Sequence, residues 1–351
     1  YPMPRHIFEP VIKRGEDWTN FDNFPPVCIG PYVLKDWDPN GYWYLWERRE
    51  DWDRTAIGMW VKERGLPWVG PKYVLFVAFE TEEQRLAAIA NNMIDYIFDM
   101  TAEGLLTALK LNPNARSWRR EYPYHYPYEP CIRGIYFNLE KYPYNLTEVR
   151  WALALAINAS DFLISTHRGI NAIWPGPISF IPSLRSLWER YLEKLKDFEL
   201  VLPNGSRFKV FDPEVPYRVA KWALSQGLLD KMPSDEEIKA NWGPGWFKYA
   251  PDVAEQLLKS VGFYRGPDGK WRLPNGEVWR IKLLSAGPFE IDDTRMNFGI
   301  AEQWRKFGIE VEVTTLDSAT FWSVNYLGQF EVWGGWGAYM DGASLVEWIR
   351  T

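Results

Sequence analysis

At 351 residues the chain can hold about two domains and a sizeable core, which excludes a small disulfide-stapled scaffold. Forty Lys and Arg against 46 Asp and Glu leave a net charge of -6 with no basic block, which excludes nucleic acid as a partner. No apolar run approaches the ~18 residues of a membrane helix. Three His (His6, His125, His167) and two Cys (Cys28, Cys131) lack the clustering of a zinc site or a Cys/His nucleophile, so no metal and no other cofactor is expected.

In chain order, two apolar and aromatic runs within 29–47 are joined by Asp38-Pro39-Asn40-Gly41. Asn-Gly supplies the positive φ of a tight turn, so this is a hairpin. Residues 73–79 form a continuous apolar run, predicted as a strand covered on both faces in a mixed, helix-covered sheet. Thr81 is placed to cap a helix reaching about residue 91, and 94–98 returns to a strand. Prolines at 123, 127 and 130 exclude a helix and predict an extended crossover between lobes over 122–130. A strand over 132–138 and a helix over 147–157 follow, with Thr147 as N-cap and Val149, Leu153, Ala156 and Ile157 as its apolar face.

The Pro-rich loop over 174–182 precedes a charged helix over 186–198, and 212–244 is helical in its middle. Residues 251–261 start with Pro and stop at Gly262, a helix by its ends. Turns at Pro267-Asp268-Gly269 and Pro274-Asn275-Gly276 lead to a strand over 278–284. The last elements are a helix over 296–307 closed by Gly308, a strand over 309–315, a short helix over 318–327 and a strand over 330–333. The alternation is that of an α/β fold.

The composition is unusual in its 21 Trp, part of an aromatic fraction of 17%. Core packing accounts for most such residues, and Trp43, Trp46, Trp188, Trp222 and Trp304 are read that way. The acid pairs Asp292-Asp293, Glu82-Glu83 and Glu236-Glu237 diverge as sequence neighbours and read as solvated surface, so the paired carboxylates of a glycoside hydrolase are not evident. His125 reads as polar filler between tyrosines.

The words CIGPYVLKDWDPNGYWYLWERREDW (28–52), NNMIDYIF (91–98), RGIYFNLEKYPYNLTEVRWALALAIN (133–158), PDVAEQLLKSVGFYRGPDGKWRLPNGE (251–277) and EQWRKFGIEVEVTTLDSATFW (302–322) occur in this order. Together they resemble the family 5 extracellular solute-binding proteins, the oligopeptide- and dipeptide-binding proteins of bacterial ABC importers. The resemblance implies a two-lobed, type II periplasmic-binding-protein-like α/β architecture with mixed sheets flanked by helices. Residues 1–130 would be part of the first lobe and 131–351 the second. The chain would be a fragment, with N- and C-terminal parts of the first lobe missing. It further implies a small-molecule ligand, ABC permease subunits as partners, a periplasmic or extracellular location and no enzymatic activity; a monomer is expected.

Peptide binders of the family often carry a carboxylate shortly after the Trp matching Trp336, to pair with the peptide amine. Here Gly337, Ala338 and Tyr339 follow, and the next acid is Asp341. Some relatives also have a Cys at the position of Gly337, bridged to one at the position of Cys131; that bridge is lost, and a Cys28–Cys131 pairing is left open. A sugar needs flat apolar platforms with hydrogen-bonding edges, which Trp and Tyr supply. Trp333, Trp336 and Tyr339 at the end of the last strand, Trp174 in the Pro/Gly loop and Asp341 as a hydroxyl ligand are the candidate binding residues. For each there is a plainer role: core packing for Trp333, a loop anchor for Trp174, a turn for Asp341. The resemblance implies an oligosaccharide-binding importer component, with a short peptide as the alternative ligand.

Overall fold

The structure is a computed structural model that describes residues 4–18, 21–68, 70–98, 100–125, 131–176, 181–287 and 289–339, with backbone alone at 131, 132, 183 and 336–339. Its first elements are α1 (Arg5–Lys13), β1 (Tyr32–Trp37), β2 (Trp43–Arg48), α2 (Ala56–Glu63), β3 (Tyr73–Val77), α3 (Glu82–Ala90), α4 (Ala102–Leu111), β4 (Cys131–Phe137), α5 (Thr147–Leu155) and α6 (Ala159–His167). Then come α7 (Arg185–Asp197), β5 (Glu199–Val201), β6 (Arg207–Lys209), β7 (Phe211–Asp212), α8 (Val215–Ser225), α9 (Asp235–Trp242), β8 (Trp246–Phe247) and α10 (Pro251–Ser260). The last are β9 (Tyr264–Arg265), β10 (Trp271–Arg272), β11 (Arg280–Ala286), α11 (Ile291–Lys306), β12 (Glu310–Leu316), α12 (Ser318–Tyr326) and β13 (Val332–Tyr339). Contacts divide the chain into two compact units, 1–87 and 88–351.

In the first unit β1, β2 and β3 form an antiparallel sheet in that order. The expected hairpin is present, with Leu34 opposite Trp46 and Gly41 at φ +82° in the turn. The Asn40 N–H donates to Asp38 Oδ1 at 2.8 Å, which closes that turn. β3 departs from expectation. It is an edge strand of an antiparallel sheet, and Leu75 is 57% exposed, so the described residues do not give it the both-face cover read from the apolar run. Periodicity cannot distinguish a doubly covered strand from an apolar edge. Cys28 carries a free thiol.

Thr81 does start α3, its Oγ1 accepting from the Gln84 N–H at 3.3 Å. The strand expected over 94–98 does not form. Asn92 takes the left-handed conformation (φ +52°), and Asn112 Nδ2 donates to Ile89 O at 2.6 Å and Asn92 Oδ1 at 2.9 Å, which turns the chain away from extension. Phe98 is left 80% exposed, edge-on to Tyr96.

The second unit is built on a mixed sheet of order β12-β11-β13-β4, with β11 parallel to both neighbours and β13 antiparallel to β4. Alternation along the strands sorts its two faces. Ile281, Leu283 and Val332 join the main core with α11, whereas Leu284, Ala286 and Trp333 join a smaller cluster with Phe321 of α12. Asn297 of α11 fastens helix to sheet, its Nδ2 donating to Ser285 Oγ (2.9 Å) and Gly334 O (3.0 Å). Trp188 and Trp304 are buried as the sequence suggested.

Four boundaries differ from the sequence reading. Residues 121–125 turn, with Tyr124 at φ +65°, so the start of the expected extended crossover is not extended; 126–130 lie outside the described residues. Thr147 is the first helical residue of α5 and Leu146 its N-cap, with no side-chain cap. α11 begins at Ile291 instead of 296, because Asp292 and Asp293 fill its first turn, where carboxylates suit the helix dipole. β13 runs on to Tyr339 because it keeps pairing with β4, through a register shift between Trp336 and Ala338.

Candidate functional site

Within the second unit a cavity of about 620 Å³ lies among β4, α5, α6, α11 and the loop 171–176. That loop is held at two points, and the chain leading into it at a third. Trp242 Nε1 donates to Gly169 O (2.7 Å), the Ile173 N–H donates to Trp242 O (3.2 Å), and the Tyr191 hydroxyl donates to Pro175 O (2.6 Å). Gly243, which ends α9, is at φ +89°, and a Cβ there would lie 1.9 Å from Ile173 O. Gly243→Ala should therefore lower stability by about 2 kcal/mol and displace the loop, visible as a fall in melting temperature with altered Trp fluorescence.

The lining carries four aromatic side chains, Trp174, Tyr191, Trp246 and Phe247, and polar ones that include Arg133 and Asp292. Further charges stand close to the latter. Arg133 Nε lies 3.1 Å from Asp293 Oδ1, with the Asp293 side chain only 2% exposed, and Arg295 pairs with Glu103. Burial raises Glu103, but the Arg295 hydrogen bond and backbone bonding outweigh it and hold the carboxyl below its ordinary range. Burial pushes the Asp292 carboxyl up, against the pull of Arg133, Arg295 and a hydrogen bond with Asn171. His167, 5% exposed, is driven down to about 4 by burial and then by Arg295 and Arg133. His125 is also lowered to about 4 by burial and by Arg119, with a weak opposing pull from the Pro123 carbonyl. Both rings are therefore neutral at pH 7.

Two sequence readings are corrected here. Asp292 and Asp293 are not solvated surface: the first turn of α11 points into the unit, where Arg133 answers Asp293 and Asn171 answers Asp292. His125 is not mere polar filler: its ring nitrogens are buried and it lines the cavity. Of the candidate binding residues, Trp174 lines the cavity. Trp333 is 6% exposed on the α12 face of the sheet, stacked on Tyr136 at 4.6 Å between centroids. The Trp336 backbone pairs with Arg133 and that of Tyr339 with Cys131; Asp341 lies outside the described residues. Arg133, Asn171, His167 and Asp292 were missed. The legible signal was Arg133 itself, a charge inside the apolar strand CIRGIYF that must find a partner.

Residues 1–169 match the model of the bacterial extracellular solute-binding proteins, family 5 Middle. Solved structures of such proteins share the fold. The mannohexaose-bound periplasmic oligopeptide-binding protein of Thermotoga maritima is 19% identical, with TM-score 0.63 over 95% of this chain and 50% of that one. The stachyose-bound periplasmic binding protein MelB of Agrobacterium fabrum is 18% identical, with TM-score 0.58 over 95% and 44%. The nonapeptide-bound AppA of Bacillus subtilis is 17% identical, with TM-score 0.53 over 97% and 53%. The chain thus spans about half the length of the solved proteins it matches. No curated protein matches it by sequence. Among the described residues no helix is long and apolar enough to cross a membrane, and no group of three or more His, Cys, Asp or Glu could hold a metal ion.

Proposed function

We propose that the chain is the solute-binding part of an ABC importer, periplasmic or extracellular, which captures a neutral oligosaccharide by aromatic stacking and hands it to a membrane permease without chemistry. The lobes would divide at 130/131, where β4 opens and enters the sheet of β11, β12 and β13, with residues 88–130 packing into the unit that holds this sheet. Trp174 would supply one platform, and Trp336 and Tyr339 a second. The register favours this, since Trp336 pairs with the cavity-lining Arg133. Trp333, buried on the α12 face of the same strand, would act as support.

The observation that carries the ligand class is an aromatic lining beside charges that are largely answered, Arg150 on the same lining donating to the Tyr144 carbonyl and the Thr147 hydroxyl. Arg133 faces Asp293, Arg295 faces Glu103, and the two histidines are neutral. A neutral polyol disturbs none of these pairs, whereas the ammonium of a peptide needs an acid of its own. Asp292 is the acid within the cavity, and Arg133 and Arg295 beside it repel a cation. Calorimetric titration with manno-, cello- and xylo-oligosaccharides against tri- to pentapeptides tests the reading: a sugar should bind, and tight peptide binding with silence toward every sugar would overturn it. Trp174→Ala should weaken the best sugar roughly 30-fold by the same titration, the loss of a central aromatic contact.

A further inference from the structure

Buried polar atoms are almost always hydrogen-bonded, and exceptions often mark a role. His167 Nδ1 is buried with no hydrogen-bond partner among the described residues, and the ring nitrogens of His125 are buried with only the weak pull of the Pro123 carbonyl on them. Both rings line the cavity, and they come from separate segments, the turn 121–125 and the last residue of α6. The cavity lies in the size range that takes small molecules.

We propose that His167 and His125 supply hydroxyl-reading groups to this cavity, determining which sugar is accepted. This rests on the oligosaccharide reading of the same cavity. An imidazole offers one donor and one acceptor, and a hydroxyl offers the same pair in return, so one ring can bind one sugar hydroxyl in either sense. An ammonium only donates, and it would approach Arg133 and Arg295 as a like charge. Asn171, with both donor and acceptor on its amide, lines the same cavity and can complete the set. The imidazoles discriminate because a sugar lacking the matching hydroxyl, or presenting it on the wrong face, leaves the buried nitrogens unsatisfied.

The test uses the full chain and the sugar that binds tightest in the manno-, cello- and xylo-oligosaccharide panel. His167→Phe and His125→Phe keep a flat ring of similar size and remove the polar atoms. Each should weaken binding about tenfold. The melting temperature without sugar should stay level or rise, because an unpaired buried group has been removed. His167→Gln, which restores a donor and an acceptor, should recover most of the affinity. If the Phe variants bind as tightly as the parent, or lose affinity only in step with a fallen melting temperature, the subsite is wrong while the oligosaccharide reading stands. If the parent binds no sugar in the panel, both fall together. Should His167→Phe fail to fold, His125→Phe and His167→Gln decide the matter alone: unchanged affinity in the first, or a loss as deep in the second as in His125→Phe, refutes the subsite.

Discussion

Replacing Arg133 with Met is expected to destabilise the second unit by about 3–5 kcal/mol, the usual cost of stripping the partner from a buried charge. Arg133 is 25% exposed, but Asp293 opposite it is 2% exposed, so water cannot take over the role of the guanidinium. Met keeps the length and apolar stem of Arg, which isolates the charge from the packing. In a unit of this size the loss corresponds to a fall in melting temperature on the order of 10 °C. Arg133→Met combined with Asp293→Leu should regain most of it, since replacing both partners of a buried pair by apolar residues is often near neutral. A single variant that melts within a degree of the parent would mean that the pair is screened.

Acidification is expected to weaken the fold between pH 6.5 and 4. Burial lowers His125 and His167 to about 4, helped by Arg119 for the first and by Arg295 and Arg133 for the second. In the unfolded chain each titrates near 6.5, so below that pH the unfolded state binds protons that the folded state refuses. Stability is complete above 6.5 and declines as pH falls, with about 3 kcal/mol lost per histidine by pH 4. Glu103, lowered on balance by Arg295, adds to the decline at the acid end of the window as pH falls through its depressed value. Asp292, raised by burial, acts in the opposite sense, because its folded form takes up a proton first. Melting curves from pH 7.5 to 4.5 check this: the parent should lose melting temperature steadily below 6.5, and His167→Phe should lose less. Identical slopes for the two would show that His167 does not contribute.

Much of the fold was legible because its elements announce their own ends. The Asn40-Gly41 turn, the Pro251 start of α10 and the Gly308 stop after α11 each state a backbone conformation in one or two residues. The failures needed tertiary information. Residues 94–98 carry strand-forming side chains, but Asn112, some 20 residues away in sequence, holds Asn92 in a turn. The apolar run of β3 gave no sign of lying at an edge. The site was half legible. Trp174 was visible as an aromatic in a loop of Pro and Gly, whereas the pairing of Asp293 with Arg133 spans 160 positions and appears only when α11 lies against the sheet that β4 joins. His125 and His167 were each unremarkable alone; sharing one cavity gives them meaning.

The most direct measurement is diffraction from crystals of the full chain soaked with the oligosaccharide that binds tightest. The expected map shows a pyranose ring lying flat on the Trp174 indole, with its hydroxyl groups directed at Asn171 and His167. A cavity filled only by water, with the sugar bound elsewhere on the chain, would contradict the account.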